Sequence, residues 1–210
     1  MVITTDGTEI IANMPAKVFT DMIKKAGTLN LDLKTKEARD WMRKEAGKTK
    51  VNPISNIMKT STDRFRTTPY PGHLYMFYYD PKHKNTLPYY DQYPLIFPIE
   101  MYKDRFLGLN MHYLPYELRG QLMDLLFETR NNNKMNESTK LKLSYQIVKS
   151  ISDVPLFKPT IKMYLKSHVR SRMVWVDPKE WHFALFLPTQ KFQKASVSQV
   201  YADSREIIKG

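Results

Sequence analysis

The sequence contains no cysteine and little glycine. The absence of cysteine from all 210 residues excludes disulfides, thiol nucleophiles and thiolate metal sites. The seven glycines form neither of the patterns GxGxxG and GxxxxGK[ST], which let backbone amides approach phosphates. The GxSxG signature of a serine nucleophile is also missing. The sequence therefore predicts neither a cofactor nor a small-molecule substrate.

Long apolar runs are absent as well. No run approaches the roughly 20 residues that are needed to cross a bilayer. The first residues carry acidic side chains where a signal peptide would carry basic ones. We therefore expect a soluble, unexported protein without a membrane partner. Its 42% hydrophobic content is enough for a sizeable core.

The titratable side chains show no pattern of a metal or catalytic site. The five histidines are scattered along the chain without the spacing of metal ligands: His73, His83, His112, His168 and His182. Some residue types of a metal-dependent nuclease are present: Asp80, Lys82, Glu100 and Lys103. Their spacing is poor, because the familiar nuclease pattern leaves one residue between the last two and here there are two. We predict no catalytic residue, no metal and no enzyme, with a nuclease as the least favoured alternative.

The charge that is present is mostly positive and unevenly distributed. The formal net charge is +12, of which residues 1–69 contribute +5, residues 70–128 contribute −2 and residues 129–210 contribute +9. Such an excess favours a polyanionic partner, either nucleic acid or an acidic protein surface. The alternative is that the charge serves only solubility.

Residues 68–98 hold seven of the thirteen tyrosines and six of the thirteen prolines. Tyrosine offers a large contact area at low entropic cost, which favours a protein interface. A stacking platform for single strands would need cations between the rings, and only Lys82 and Lys84 stand between the outer tyrosines. We predict an interface that is formed by Tyr70, Tyr75, Tyr78, Tyr89, Tyr90 and Tyr93.

Hydrophobic periodicity predicts an α+β fold in three parts. Residues 1–68 form an N-terminal helical arm and linker, with helices at 16–26 and 35–46. Residues 69–190 form the core, and residues 191–210 form a polar, mobile tail. The core begins with a small antiparallel sheet or partial barrel, with strands at 73–79, 93–99 and 106–114. Pro94 and Pro98 place the middle strand at an edge or at a bulge.

The C-terminal half of the core is predicted to be mainly helical. Leucines at helical spacing follow Pro115 and predict a helix over 116–130. Ser138 or Thr139 caps a second helix, and residues 160–169 form a third. A β-hairpin then joins residues 170–176 to 181–187 through the turn at 177–179.

The best candidate for a polyanion site is the segment KPTIKMYLKSHVRSR. On the predicted third helix it forms a basic stripe: Lys158, Lys162, Lys166, His168, Arg170 and Arg172. The alternative is a solvated helix face. A looser N-terminal set of cations includes Arg43, Arg64 and Arg66. No base-reading motif is present, so contacts with DNA would be to its backbone.

Several segments resemble small proteins that are encoded by large contractile-tailed bacteriophages. They include YYDPKHKNTLPYYDQYPLIFPIE, FLGLNMHYLP, LKLSYQIV and WHFALFLPT, and the likeness extends over about residues 39–189. The resemblance implies a virion component made in the host cytoplasm, and it carries no catalytic residue onto this chain. It places the protein in the baseplate, tail or neck.

Two hypotheses follow. The leading one is a structural part of a contractile-tailed phage particle that docks onto other phage structural proteins in a symmetric assembly. The rival is a nonspecific DNA-binding protein that protects or positions the genome ends through contacts with the DNA backbone.

Overall fold

The computed structural model describes residues 25, 28–31, 36–48, 62–130, 132 and 134–210. The strands in this part of the chain are β1 (Phe65–Arg66), β2 (Leu74–Met76), β3 (Tyr90–Asp91), β4 (Leu95–Met101), β5 (Arg105–Asn110), β6 (Ile161–Leu165), β7 (Met173–Val176) and β8 (Phe192–Gln193). The α-helices are α1 (Lys36–Lys48), α2 (Tyr116–Arg130), α3 (Glu137–Ile151), α4 (Trp181–Ala184) and α5 (Val197–Lys209).

Six of the strands form one sheet in the order β1-β7-β2-β4-β5-β6, and β3 pairs with β8 in a second, two-stranded sheet. Every strand pair in these sheets is antiparallel. The predicted α+β fold with an antiparallel sheet is therefore confirmed. The main sheet is larger than expected because it recruits β1, β6 and β7 from outside the aromatic segment.

Side chains alternate between two cores on opposite faces of this sheet. Leu74 and Met76 of β2 belong to a large core that contains residues of α2, α3 and α4. Tyr75 belongs to a smaller aromatic cluster together with Phe77, Tyr79, Ile96, Phe106, Tyr164 and Met173. The rings of Phe106 and Tyr164 stack with their centroids 5.4 Å apart. Much of the tyrosine-rich segment therefore serves as core.

β4 contains the bulge that its prolines predict. The register between β4 and β5 shifts between Pro98 and Glu100, which agrees with a proline that cannot donate a hydrogen bond to the ladder. The alternative position at a sheet edge is wrong, because β4 lies between β2 and β5.

The helix predicted over 116–130 is confirmed as α2, and the second helix predicted after it is confirmed as α3. The cap of α3 differs from the prediction. Asn136 occupies the N-cap, and its side-chain oxygen accepts a hydrogen bond from the backbone N–H of Thr139 at 2.8 Å. Asparagine is as good an N-cap as serine, and the helix therefore starts earlier than Ser138.

The third helix of the prediction is wrong. Residues 161–165 form the edge strand β6, which pairs with β5 and is followed by a 3-10 helix at Lys166–His168. A run of five residues is too short to distinguish the helical repeat of 3.6 residues from the strand repeat of two. Pro159 would also interrupt a helix that began before it. The pairing that decides between the two structures comes from β5, which is remote in the sequence.

The predicted hairpin is also wrong. β7 pairs with β1 and β2, and its proposed partner segment forms the buried helix α4. The tail contains strand β8 and helix α5, whose Val200 is buried in the fold. These tail elements pack on the body of the protein, where the sequence predicted a mobile segment.

The structure describes only part of the N-terminal region for which two helices and a linker are predicted. Helix α1 agrees with the predicted second helix, and Trp41 packs against the large core. Apart from Lys25, which is helical, the predicted first helix at 16–26 lies outside the described residues, as do residues 49–61 of the predicted linker. β1, at the end of the predicted linker, pairs with β7 in the main sheet.

Candidate nucleic-acid interface

A groove lined by positive charge lies beside β1 and β7. Its volume is about 610 Å³. One wall is the segment that leaves β1, and the other is the connection from β6 to β7. The lining residues are Arg66, Thr67, Thr68, Pro69, Lys166, Val169, Arg170, Ser171, Arg172 and Met173. Four of these side chains are cationic and none is acidic. We call this feature the basic groove.

Backbone pairing fixes both walls of the basic groove. β1 brings Arg66 opposite Met173 of β7. The other wall is attached to residues 78–80, since the backbone N–H of Arg170 donates to the carbonyl of Tyr78 at 2.8 Å. The N–H of Tyr78 in turn donates to Ser171 Oγ at 2.9 Å. The two walls are thus extensions of one sheet, which fixes the backbone positions from which their cations project.

The arginines of the basic groove are not neutralised by carboxylates. The guanidinium of Arg66 donates to the backbone carbonyls of Asp63 and Phe65 and lies 5.6 Å from the ring centroid of Trp175. That of Arg172 lies 5.9 Å from the ring of Phe65. Within the described residues neither of them, nor Arg170, forms a salt bridge. Aromatic and carbonyl contacts orient these groups and leave their charge for an anion.

Lys166 connects the basic groove to the turn between β4 and β5. Its ammonium group donates to the carbonyl oxygens of Tyr102 at 2.6 Å and Lys103 at 3.1 Å. Asp80 is an acid that interacts electrostatically with a groove cation, Arg170. The hydrogen bond from Lys84 lowers the pKa of Asp80, and the charges of Arg170 and His168 lower it further. Because Lys84 already pairs with this carboxylate, the region keeps its positive charge.

The structure brings together three of the six residues of the predicted basic stripe: Lys166, Arg170 and Arg172 line the groove. Lys158 is exposed in a 3-10 helix and is not part of the lining. His168 Nδ1 lies 2.8 Å from the carbonyl oxygen of Asp80 and has a structural contact there.

Lys162 does not lie on an exposed stripe. Its ammonium group is 4.2 Å from the ring centroid of Tyr113, and burial lowers its pKa to about 8. β6 is a strand, so the helical face that would have aligned Lys162 with Lys166 does not exist. The looser N-terminal set of cations already included Arg66. Nothing in the sequence points to Thr67 and Thr68, because strand pairing between β1 and β7 brings this segment to the groove.

A second polar cluster is buried under the smaller sheet. His112 Nδ1 lies 2.7 Å from Asp91 Oδ2, and His112 Nε2 lies 3.0 Å from Thr189 Oγ1. Asn110 Nδ2 also donates to the Asp91 carboxylate at 3.0 Å. These spacings are those of an acid, a base and a hydroxyl nucleophile. The three side chains of that arrangement are nonetheless buried.

The protonation of this cluster follows from its burial. Burial lowers the pKa of His112, although Asp91 opposes that effect. Burial alone would raise the pKa of Asp91, but His112 and hydrogen bonds from Asn110 and Tyr93 outweigh it and lower the pKa. Near neutral pH, hydrogen bonds from the His112 ring, Asn110 and Tyr93 keep the carboxylate ionised, and burial keeps the imidazole neutral. Because Asp91, His112 and Thr189 are all buried, with Thr189 1% exposed, the cluster has no open approach for a substrate.

The described residues contain no group of three or more His, Asp or Glu side chains placed to hold a metal ion. The residues of the nuclease pattern have other partners, since Asp80 pairs with Lys84 and Glu100 accepts a hydrogen bond from the phenol of Tyr102. In the same part of the chain, no helix combines the length and apolarity that a membrane span requires.

A family model for the phage T4 terminal DNA protecting protein matches residues 33–207. The chain belongs to this family. The match extends over the main sheet, the basic groove and most of α5. No curated protein and no solved structure matches the chain.

This membership corrects the leading sequence-based hypothesis. A structural role in the tail, baseplate or neck is wrong, because the family is one of proteins that protect terminal DNA. The rival hypothesis of a protein that protects genome ends agrees with the family. The resemblance to phage proteins is confirmed at the level of a T4-like phage, and DNA becomes the partner that the family indicates.

The tyrosines of the predicted interface are divided between core and surface. Tyr75 is 1% exposed and lies in the aromatic cluster, so it is not available to a partner. Tyr78 and Tyr93 are half-buried with ring centroids 5.4 Å apart, and Tyr89 and Tyr90 are also half-buried. Tyr70 differs from the other five because 61% of its surface is exposed.

Proposed function

We propose that this protein binds the ends of linear duplex DNA and protects them by occupying them, without a catalytic step. The observation that carries the proposal is the basic groove, with four cationic side chains and no acid in its lining, in a member of a terminal DNA protecting family. Phosphate contacts by Arg and Lys supply most of the affinity of sequence-independent DNA binding.

The chemistry of the groove suits a phosphate backbone. Arginine forms paired hydrogen bonds with phosphate oxygens, and the hydroxyls of Thr67 and Thr68 add further donors to the same wall. The described residues that line the groove include none from an α-helix that could read base edges, so the contacts would tolerate any sequence. A protein that protects DNA ends of any base sequence needs contacts that do not depend on the bases.

The proposal is tested by a variant that carries Arg66→Ala, Arg170→Ala and Arg172→Ala, which we call the groove variant. Linear duplex DNA is incubated with the protein and then with an exonuclease that starts at duplex ends. We expect the wild-type protein to preserve full-length DNA and the groove variant to lose most of this protection, because three phosphate contacts are removed.

The matched control carries Lys142→Ala, Lys149→Ala and Lys158→Ala. These lysines are exposed and outside the groove, so the control loses the same formal charge. It should protect DNA like the wild-type protein. Equal loss in both variants, or full protection by the groove variant, would contradict the assignment to the groove.

The absence of catalysis is a separate part of the proposal. It is supported by the burial of the Asp91, His112 and Thr189 arrangement, which gives no approach to a substrate. Protected DNA should become fully sensitive to the exonuclease again once the protein has been digested with a protease. DNA that stays resistant after this treatment would show a lasting chemical modification and contradict protection by occupancy.

We further propose that the protein is made in the host cytoplasm and enters the phage particle with the DNA. Ends that meet host nucleases on entry into a new cell are protected only if the protein arrives with them. Mass spectrometry of purified particles should detect it, and its consistent absence would contradict this location. Contacts with other phage structural proteins stay a prediction, which cross-linking in the same particles tests.

A further inference from the structure

Tyr70 is the most exposed of the large hydrophobic side chains in the described residues, at 61%. It directly follows the wall of the basic groove that ends at Pro69. An exposed tyrosine needs no explanation by itself. Its place beside a phosphate-binding groove is what makes it informative.

The backbone holds Tyr70 in a fixed position. Pro69 and Pro71 flank it, and proline restricts both its own φ and the conformation of the residue before it. The backbone N–H of Tyr70 donates to the buried phenol of Tyr75 at 3.1 Å, and the N–H of His73 donates to the Tyr70 carbonyl at 3.4 Å. An aromatic side chain on a rigid support loses little entropy when it binds.

The positive charge that a stacking site requires is also present. Arg66 lies on the wall of the groove that continues through Thr67, Thr68 and Pro69 into Tyr70. Arg170 and Arg172 lie on the opposite wall of the groove. The sequence placed only Lys82 and Lys84 among the tyrosines, whereas the fold supplies arginines from the two remote segments that form the groove.

A groove that contacts phosphates cannot by itself distinguish the end of a duplex from its interior. Every interior base pair is covered by its neighbours on both faces. Only the terminal pair of a duplex presents a free aromatic face, and stacking on that face tolerates any base. An exposed aromatic ring next to a phosphate groove would therefore give a preference for ends without reading sequence.

We propose that Tyr70 stacks on the terminal base pair of a DNA duplex whose last phosphates lie in the basic groove. This inference rests on the proposed function and adds the origin of its preference for ends. The groove holds the backbone, and the ring of Tyr70 covers the exposed face of the last pair. A nuclease would then find both the phosphates and the terminal base occupied.

The test compares two forms of the same duplex at one salt concentration. One form has open ends, and in the other both ends are closed by thymine hairpin loops. We expect the wild-type protein to bind the open form more tightly. Tyr70→Ala should reduce this preference roughly tenfold, within the range seen when aromatic residues that stack on bases are replaced by alanine.

Three variants separate stacking from other effects. Tyr70→Phe keeps the ring and should keep the preference for open ends. Tyr102→Ala removes another exposed tyrosine, which is 41% exposed and lies outside the groove lining, and should have no effect. The groove variant should lose affinity for the open and the closed form alike.

A fluorescent base gives a second measurement. With 2-aminopurine in the terminal pair, saturating wild-type protein should change its fluorescence, whereas Tyr70→Ala at saturation should not. With 2-aminopurine at an interior position neither protein should change it. The terminal signal reports stacking directly and does not depend on affinity.

The outcomes distinguish the two proposals. If the wild-type protein binds neither form, the proposed function fails. If it prefers open ends and Tyr70→Ala keeps that preference together with the terminal fluorescence signal, only the role of Tyr70 is overturned. If polyglutamate displaces the duplex as well as unlabelled DNA does, the groove is a site for acidic protein and both are overturned.

Discussion

At the scale of single residues, the buried pair of Asp91 and His112 links stability to pH. The imidazole is kept neutral because burial lowers its pKa, and the charge of Arg119 acts in the same direction. In the unfolded chain the same side chain titrates near its ordinary value of about 6.5. The unfolded state therefore binds more protons than the folded state as the pH falls below that value.

The contribution of His112 to the free energy of unfolding should thus be complete above about pH 6.5. Below that pH the free energy of unfolding should decrease, by at most about 1.4 kcal/mol per pH unit for one group. Asp91, whose pKa is also lowered, adds a further loss that begins only near the ordinary carboxyl value of about 3.9. Urea denaturation between pH 7.5 and 5 measures the first of these losses.

His112→Gln identifies the group responsible. The variant should be less stable than wild type at pH 7.5, by about 1–3 kcal/mol for the disturbed buried hydrogen bonds, but its stability should decrease less than that of wild type between pH 6.5 and 5. His83→Gln is the control, because His83 is exposed in the loop after β2. A wild-type stability that is constant over this range would contradict the prediction.

At the scale of elements, the sequence predicts best where a segment decides its own structure. α2 and α3 have apolar residues at helical spacing over 15 residues each, and both were predicted. The five residues of β6 fit both the helical and the strand repeat, and only pairing with β5 makes them a strand. The sequence likewise predicts a strand where the structure has the short helix α4, because this run of buried side chains fits neither the helical nor the strand repeat clearly.

Helix α5 depends on a contact that no local pattern shows. Arg119 is buried, and its guanidinium donates to the carbonyls of Leu114, Leu185 and His112. It also donates to the phenol oxygen of Tyr201 on α5 at 2.7 Å. A buried guanidinium requires such partners, so this bond fixes the C-terminal helix to the body.

Tyr201→Phe removes one acceptor from the buried guanidinium. We expect the free energy of unfolding to fall by about 1–3 kcal/mol, because a hydrogen bond from a charged group is lost. Tyr102→Phe is the matched control, because its phenol bonds to Glu100 at the surface, where such contacts contribute little. Equal effects of the two substitutions in urea denaturation would contradict the role of Tyr201.

At the scale of the whole molecule, the sequence predicted a polyanionic partner but not the surface that binds it. The net charge of +12 and its concentration in the flanking segments are visible in the composition. The groove is not, because strand pairing between β1 and β7 joins Arg66 to Arg170 and Arg172. The predicted stripe contained three of the four groove cations for a different reason, namely their closeness in the sequence.

The salt dependence of DNA binding distinguishes cationic side chains that contact phosphates from those that only attract DNA from a distance. The logarithm of the binding constant for duplex DNA falls linearly with the logarithm of the salt concentration, with a slope of about −0.9 for each phosphate that is neutralised. If three arginines of the groove contact phosphates, the groove variant should have a slope less steep than wild type by about 2.7, which is three such contacts.

The triple lysine control should keep the wild-type slope. Its three lysines lower the net charge equally but lie outside the groove, so they release no counterions from the bound phosphates. Fluorescence anisotropy titrations with a labelled duplex at several salt concentrations measure all three slopes. A control slope that decreases as much as that of the groove variant would mean that the whole surface attracts DNA, and the basic groove would then have no special part in binding.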